Sequence, residues 1–139
     1  MIAAAVCICL LLVTKKWAVS LLIPYVFLVL AATLLIREPG VEPKCELQIF
    51  WSYRVWEAQK EQIIANVIMF LPIGLTAGAV FGWKSILLGF GLSAVIESLQ
   101  LVTYRGLFEF DDIIHNTLGA AIGFFILLSL RRIKHGNDH

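Results

Sequence analysis

The sequence predicts an all-α integral membrane protein, a helical bundle of about five transmembrane helices joined by short loops. Three observations carry this. Hydrophobic residues make up 60% of the chain and charged residues 15%, whereas soluble domains are roughly half apolar and about a quarter charged. Apolar runs near or above 18 residues recur, the length that crosses a bilayer as a helix. The polar residues within the last three runs repeat at helical spacing. At 139 residues the chain is at most one ordinary domain. A net charge of +1 gives no reason to expect a nucleic acid partner; the expected partner is the lipid bilayer.

Met1 to Thr14 is apolar and stops at Lys15-Lys16. A secretory signal carries its positive charge before the apolar stretch, so a retained helix is expected here. It is short, about 14 residues or roughly 21 Å against a hydrocarbon core of about 30 Å. Trp17 to Ile36 is a full span with Pro24 as a candidate kink. Arg37 to Gln62 reads as a polar connection broken by Pro39-Gly40 and Pro43. The aromatic run Ile49 to Trp56 within it suits a membrane interface. Ile63 to Phe81 is the third span, Ile86 to Thr103 the fourth and Asp112 to Leu130 the fifth, with Tyr104 to Asp111 as a polar turn. Gly74 and Gly78, then Gly119 and Gly123, have the spacing that lets helices approach closely. The organisation expected is N-terminal helices and an aromatic extracytoplasmic connection over 1–61, a three-helix core over 62–130, and a basic cytoplasmic tail over 131–139. Cys7, Cys9 and Cys45 form no disulfide framework.

Five spans put the termini on opposite sides. Lys15, Lys16, Lys84, Arg131, Arg132 and Lys134 then share the tail side, in short loops, which favours that side as cytoplasmic. The start of the third span, the end of the fourth and the start of the fifth all meet the opposite side. Polar chemistry is thereby concentrated in one leaflet, expected to be the outer one.

The candidate pocket residues are Asn66, Ser93, Glu97, Gln100, Arg105, Asp112 and Asn116. Ser93, Glu97 and Gln100 share one helix face, as do Asp112, His115, Asn116, Gly119 and Gly123. Ionisable groups at membrane depth are costly and are functional candidates for that reason. Glu97 is either an acid/base or headgroup-binding group, or a tie to Arg105 or Asn116 that fixes the hairpin. Asp111 suits an N-cap at the positive end of its helix. Glu109 and Asp112 offer oxygen ligands of the type Mg²⁺ and Ca²⁺ take, but nothing in the spacing demands a metal, and no metal or cofactor is expected. His115 suits packing better than catalysis, and Ser93 lacks an evident base. Whether the chain is an enzyme stays open.

The ordered set Asn66-x3-Phe70-x-Pro72-x-Gly74, Ser93-x3-Glu97-x2-Gln100, Arg105 and Asp112-x3-Asn116-x2-Gly119-x3-Gly123 resembles the VanZ-like family. The match covers about half of the chain, roughly Gln62 to Leu130. That resemblance implies a small multi-pass protein of the bacterial cytoplasmic membrane. Its founding member is associated with resistance to the glycopeptide teicoplanin. The family pattern often has Asp near Glu109 and does not include His115. A pocket for a headgroup or a glycopeptide-related ligand is the function expected; an intramembrane enzyme using Glu97 and Asp112 on a lipid headgroup, or a small transporter, are the alternatives.

Overall fold

The computed structural model describes residues 15–136. The expected first helix at Met1 to Thr14, with Cys7 and Cys9, lies outside the described residues. Within them, four helices are long and apolar enough to cross a membrane. In chain order the elements are α1 (Lys15–Leu30), which continues as a π-helical turn over Ala31–Leu35, β1 (Lys44–Glu46), α2 (Trp51–Arg54), α3 (Trp56–Phe81), α4 (Lys84–Thr103), β2 (Leu107–Glu109) and α5 (Phe110–Gly136).

Helix α3 is the centre of the bundle, packing against α1, α4 and α5. It begins at Trp56, not at Ile63 as hydropathy suggested. Its first two turns, Glu57 to Gln62, are strong helix formers. Lys60 and Glu57 form an ion pair one turn apart there. Polarity hid these turns from a search for apolar spans. Towards the bilayer centre, Leu22 and Val29 of α1 pack with Phe70, Ile73 and Ala77 of α3 and Ile96 of α4. A second cluster joins Ala18, Leu75, Ala79 and Leu127. Pro72 lies inside α3 and gives the ladder no N–H. Near it, Tyr25 of α1 donates its hydroxyl to the Met69 carbonyl at 2.9 Å.

The glycine pairs lie where α3 and α5 meet. A Cβ on Gly119 would stand 2.2 Å from the Val67 carbonyl oxygen, and one on Gly123 2.1 Å from that of Leu71. From the other side, a Cβ on Gly74 would stand 1.9 Å from the Ala120 carbonyl oxygen. The two backbones are in direct contact, which glycine alone permits.

The polar connection is more ordered than a breaker-rich sequence implies. Strands β1 and β2 pair in parallel, with Lys44 opposite Leu107, Cys45 opposite Phe108 and Glu46 opposite Glu109. Gly40 N–H donates to the Tyr104 carbonyl. The sequence suits Asp111 to cap its own helix. Its carboxylate instead accepts the Phe50 N–H at 2.6 Å, the Ser52 N–H at 3.0 Å and the Ser52 hydroxyl. It thus caps α2 from across the molecule. Phe50 turns the chain to make this possible and sits in the left-handed region at φ 63°.

Candidate functional site

Four helix ends and one strand meet at the polar end of the bundle. The last turns of α4 supply Glu97 and Gln100. Tyr104 ends that helix in the left-handed conformation at φ 55°, and the Arg105 N–H bonds back to the Gln100 carbonyl at 3.0 Å. This is the backbone pattern of a helix C-cap that glycine usually fills. The turn sends the chain into β2, whose pairing with β1 places Glu109 beside Glu97. The Glu109 N–H donates to Glu97 Oε2 at 3.1 Å. Helix α5 then begins and presents Asp112, and the first turns of α3 present Gln62 and Asn66.

The result is a buried group of carboxyls. Glu97 and Glu109 are each 2% exposed and Asp112 is 5% exposed. Gln62 Nε2 bridges two of them, donating to Glu109 Oε2 at 2.8 Å and to Asp112 Oδ2 at 2.9 Å. Arg37, just past the end of α1, is the cation that acts on Glu97 and Glu109. It makes no ion pair within 4 Å; among the described residues only Lys60 and Glu57 do. Its Nη1 and Gln100 Oε1 both crowd Gly106, where a Cβ would meet them at 2.8 and 3.0 Å. Burial, and next to it the Asp112 carboxylate, push the Glu109 carboxyl up to about 8. At neutral pH Glu109 therefore holds a proton, and the cluster carries less charge than its composition.

Beside the cluster is a cavity of about 400 Å³ between α1 and α3, lined by Ala32, Thr33, Arg37, Glu61, Gln62, Ala65, Asn66 and Met69. Two buried polar atoms near it lack protein partners, Asn66 Nδ2 and Gln100 Oε1. Among the described residues no three His, Cys, Asp or Glu side chains are arranged to hold a metal ion.

The structure brings Asn66, Glu97, Gln100 and Asp112 to this end of the bundle. The other three, Ser93, Arg105 and Asn116, make their bonds outside the carboxyl group. Asn116 donates to the Ser93 hydroxyl at 2.8 Å, a buried tie between α5 and α4 one turn deeper. The Glu97 tie to Asn116 is therefore not made. Nor is the tie to Arg105: that guanidinium donates to the carbonyls of Leu34, Leu35 and Arg37 at 3.2, 3.2 and 2.9 Å. The C-terminal end of the helix that α1 and its π-helical turn form leaves these carbonyls free, and a cation suits that end of a helix. Gln100 Nε2 approaches the Thr33 carbonyl at 3.5 Å, joining α4 to the same segment. His115 is buried with its Nε2 3.0 Å from the Tyr53 hydroxyl, a packing contact with the aromatic connection.

Arg37 and Gln62 are the site residues that sequence reasoning did not select. Both had a signal. Gln62 stands four residues before Asn66 and so shares its helix face. Arg37 directly follows an apolar span, where a cation either anchors the helix or turns into the bundle.

No curated protein matches this chain, and no solved structure does. The VanZ/LLP1 family model matches residues 4–131, nearly the whole chain, with Glu97, Glu109, Asp112 and every wall of the cavity inside the match. This multi-pass membrane chain belongs to the VanZ/LLP1 family.

Proposed function

We propose that this protein resides in the bacterial cytoplasmic membrane, binds a polar headgroup or related envelope ligand in the cavity that Gln62 separates from the carboxyl cluster, and so alters susceptibility to glycopeptides such as teicoplanin. The observation that carries this reading is the group of three buried carboxyls next to an open polar cavity. Burying charge is a costly way to join helices. The helices here are already joined by glycine contacts and by the Ser93–Asn116 pair. Glu97→Gln and Asp112→Asn keep the shape of each side chain and remove its charge. Both are expected to lose most of the susceptibility change conferred by the wild type, at unchanged protein level in a membrane-fraction blot. Wild-type activity in both neutral variants would reduce the cluster to structural glue.

One observation favours a second reading, an intramembrane enzyme acting on a lipid headgroup. Glu109 and Asp112 share a single Gln62 donor. Adjacent carboxyls of this kind hold one proton between them, the state that acid–base catalysis uses. Turnover of a headgroup by purified protein, lost in Glu109→Gln, separates this reading from binding alone.

The outer-leaflet placement has its own test. Cys45 is exposed on β1, at the end of the molecule that carries the cavity. It is expected to react with a membrane-impermeant maleimide in intact cells. Labelling only after permeabilisation would put the cavity on the cytoplasmic side.

A further inference from the structure

We infer that the ligand of the cavity is a zwitterionic phospholipid headgroup, a phosphodiester carrying a primary amine. The inference rests on the proposal that this cavity binds a headgroup, and specifies which kind.

The shape of the cavity points to a lipid. Its walls change character with depth. Arg37, Glu61, Gln62, Ala65, Asn66 and Thr33 surround the end near the membrane face, while Met69 and Ala32 form the deeper, apolar wall. Met69 follows Asn66 by three residues, or about 4.5 Å of helix towards the bilayer centre. Polar groups thus give way to a thioether and methyls within one turn, as a phospholipid gives way from headgroup to acyl chain. A free polar metabolite has no use for the apolar part.

The free donors point to a phosphodiester. Arg37 has no ion pair among the described residues, although it lines the cavity. Guanidinium matches phosphate geometry with two parallel N–H donors. Asn66 is more than nine-tenths buried, and its Nδ2 makes no hydrogen bond within 3.5 Å, its nearest acceptor being the more distant Asp112 carboxylate. A buried amide N–H without an acceptor is costly, and a phosphodiester oxygen in the cavity would satisfy it.

The surrounding charge selects among phosphodiesters. Glu61 stands in the wall, and Glu109 and Asp112 lie directly behind Gln62. With Glu109 protonated, the carboxylates of Glu61 and Asp112 still outnumber the one arginine, so a headgroup with net negative charge meets repulsion. A primary amine on the same headgroup supplies a cation with three N–H donors for those carboxyls. A quaternary ammonium supplies no donor and is usually held by aromatic rings; no aromatic side chain lines this cavity. The preferred order is therefore ethanolamine over choline, and ethanolamine over glycerol.

The test is native mass spectrometry of the purified full chain in detergent, titrated with phosphatidylethanolamine, phosphatidylcholine and phosphatidylglycerol of identical acyl chains. Wild-type protein is expected to retain the ethanolamine lipid about tenfold better than either of the others; Glu61→Gln, which removes a carboxylate from the wall, is expected to reduce that preference, and Arg37→Gln to weaken retention of all three lipids through the lost phosphate contact. Arg37→Lys keeps the charge without the planar fork and is expected to fall between wild type and Arg37→Gln. Asn66→Ala should weaken retention with the lipid order unchanged. Equal retention of the three lipids by wild type, or an Arg37→Gln variant that retains all three as well as wild type does, overturns the inference. The wild-type comparison stands even if a variant does not fold. Indiscriminate lipid retention beside a Glu97→Gln variant that abolishes the susceptibility phenotype would refute the lipid class and leave the wider reading intact. Clear ethanolamine preference beside a fully active Glu97→Gln variant would do the reverse.

Discussion

Replacing Gly119 and Gly123 together by leucine is expected to abolish the folded protein. The contacts to be broken are between backbones. A Cβ at either position would lie about 2 Å from a carbonyl oxygen of α3, at Val67 and at Leu71. A side-chain neighbour can change rotamer; a carbonyl in a helical ladder cannot move without its helix. Overpacking a soluble core costs about 1–3 kcal/mol where side chains relax, and here α3 and α5 would have to separate. In lipid, separated apolar faces meet acyl chains as apolar as themselves, so no hydrophobic effect draws the helices together again. Because α3 also holds α1 and α4, the loss should spread through the bundle. We expect at least a tenfold fall in monodisperse, detergent-extracted protein, a value set by the loss of the main helix contact. Gly91→Leu is the control, since a Cβ there meets nothing within 4 Å and Gly91 lies on the groove between α1 and α4. A double variant that behaves like Gly91→Leu would show that the close approach of α3 and α5 is dispensable.

Those glycines also mark how far sequence reasoning reaches. Helical period and apolar length are local properties, and they located the second to fifth spans to within a few residues and put Gly119 and Gly123 on the face that meets α3. The exception was the start of α3, where helix propensity continues into polar residues that a membrane criterion excludes. Up-down connectivity likewise placed Asn66, Glu97 and Asp112 at one end. The choice between two arginines was not local. Arg105 is five residues past Gln100 and looked the natural partner for Glu97. The left-handed backbone at Tyr104 precedes its turn towards the end of the second span, just past α1, where three carbonyls take it. Arg37, sixty residues away from Glu97 in sequence, occupies the position instead. Arg37 acts on Glu97 without an ion pair, and no spacing rule encodes that arrangement. The three-residue strands β1 and β2 were equally invisible, since each is stable only through the other and through the helices that follow.

The adjacent carboxylates Asp111 and Asp112 look alike in sequence, and with Glu109 they separate into opposite expectations for stability. Asp111 is fully satisfied: it accepts two backbone N–H groups and one hydroxyl from the connection at Phe50 and Ser52. Asp111→Ala would leave those N–H groups buried beside a void. Hydrogen bonds to a charged group contribute about 1.5–3 kcal/mol each, so the loss should exceed about 3 kcal/mol even with strong non-additivity. The connection, held in a left-handed turn at Phe50, should then detach and become sensitive to protease between β1 and α3. Glu109 is the contrary case. Its neighbour Asp112 repels it and burial raises it from an ordinary 4.5 to about 8. A carboxyl whose pKa is higher in the folded state favours folding when protonated. Its contribution is fully present below the unfolded value and is lost as pH rises through the folded one. The wild type should therefore melt at a lower temperature as pH rises from about 5 to about 9, and Glu109→Gln should reduce that dependence, the other buried carboxyls of the cluster keeping the remainder, without lowering the plateau at acid pH. Thermal unfolding of both proteins in the same detergent across that range makes the comparison. A wild-type melting temperature that climbs with pH would mean that Glu109 is ionised and paired, and that Arg37 engages the cluster directly instead of facing the cavity.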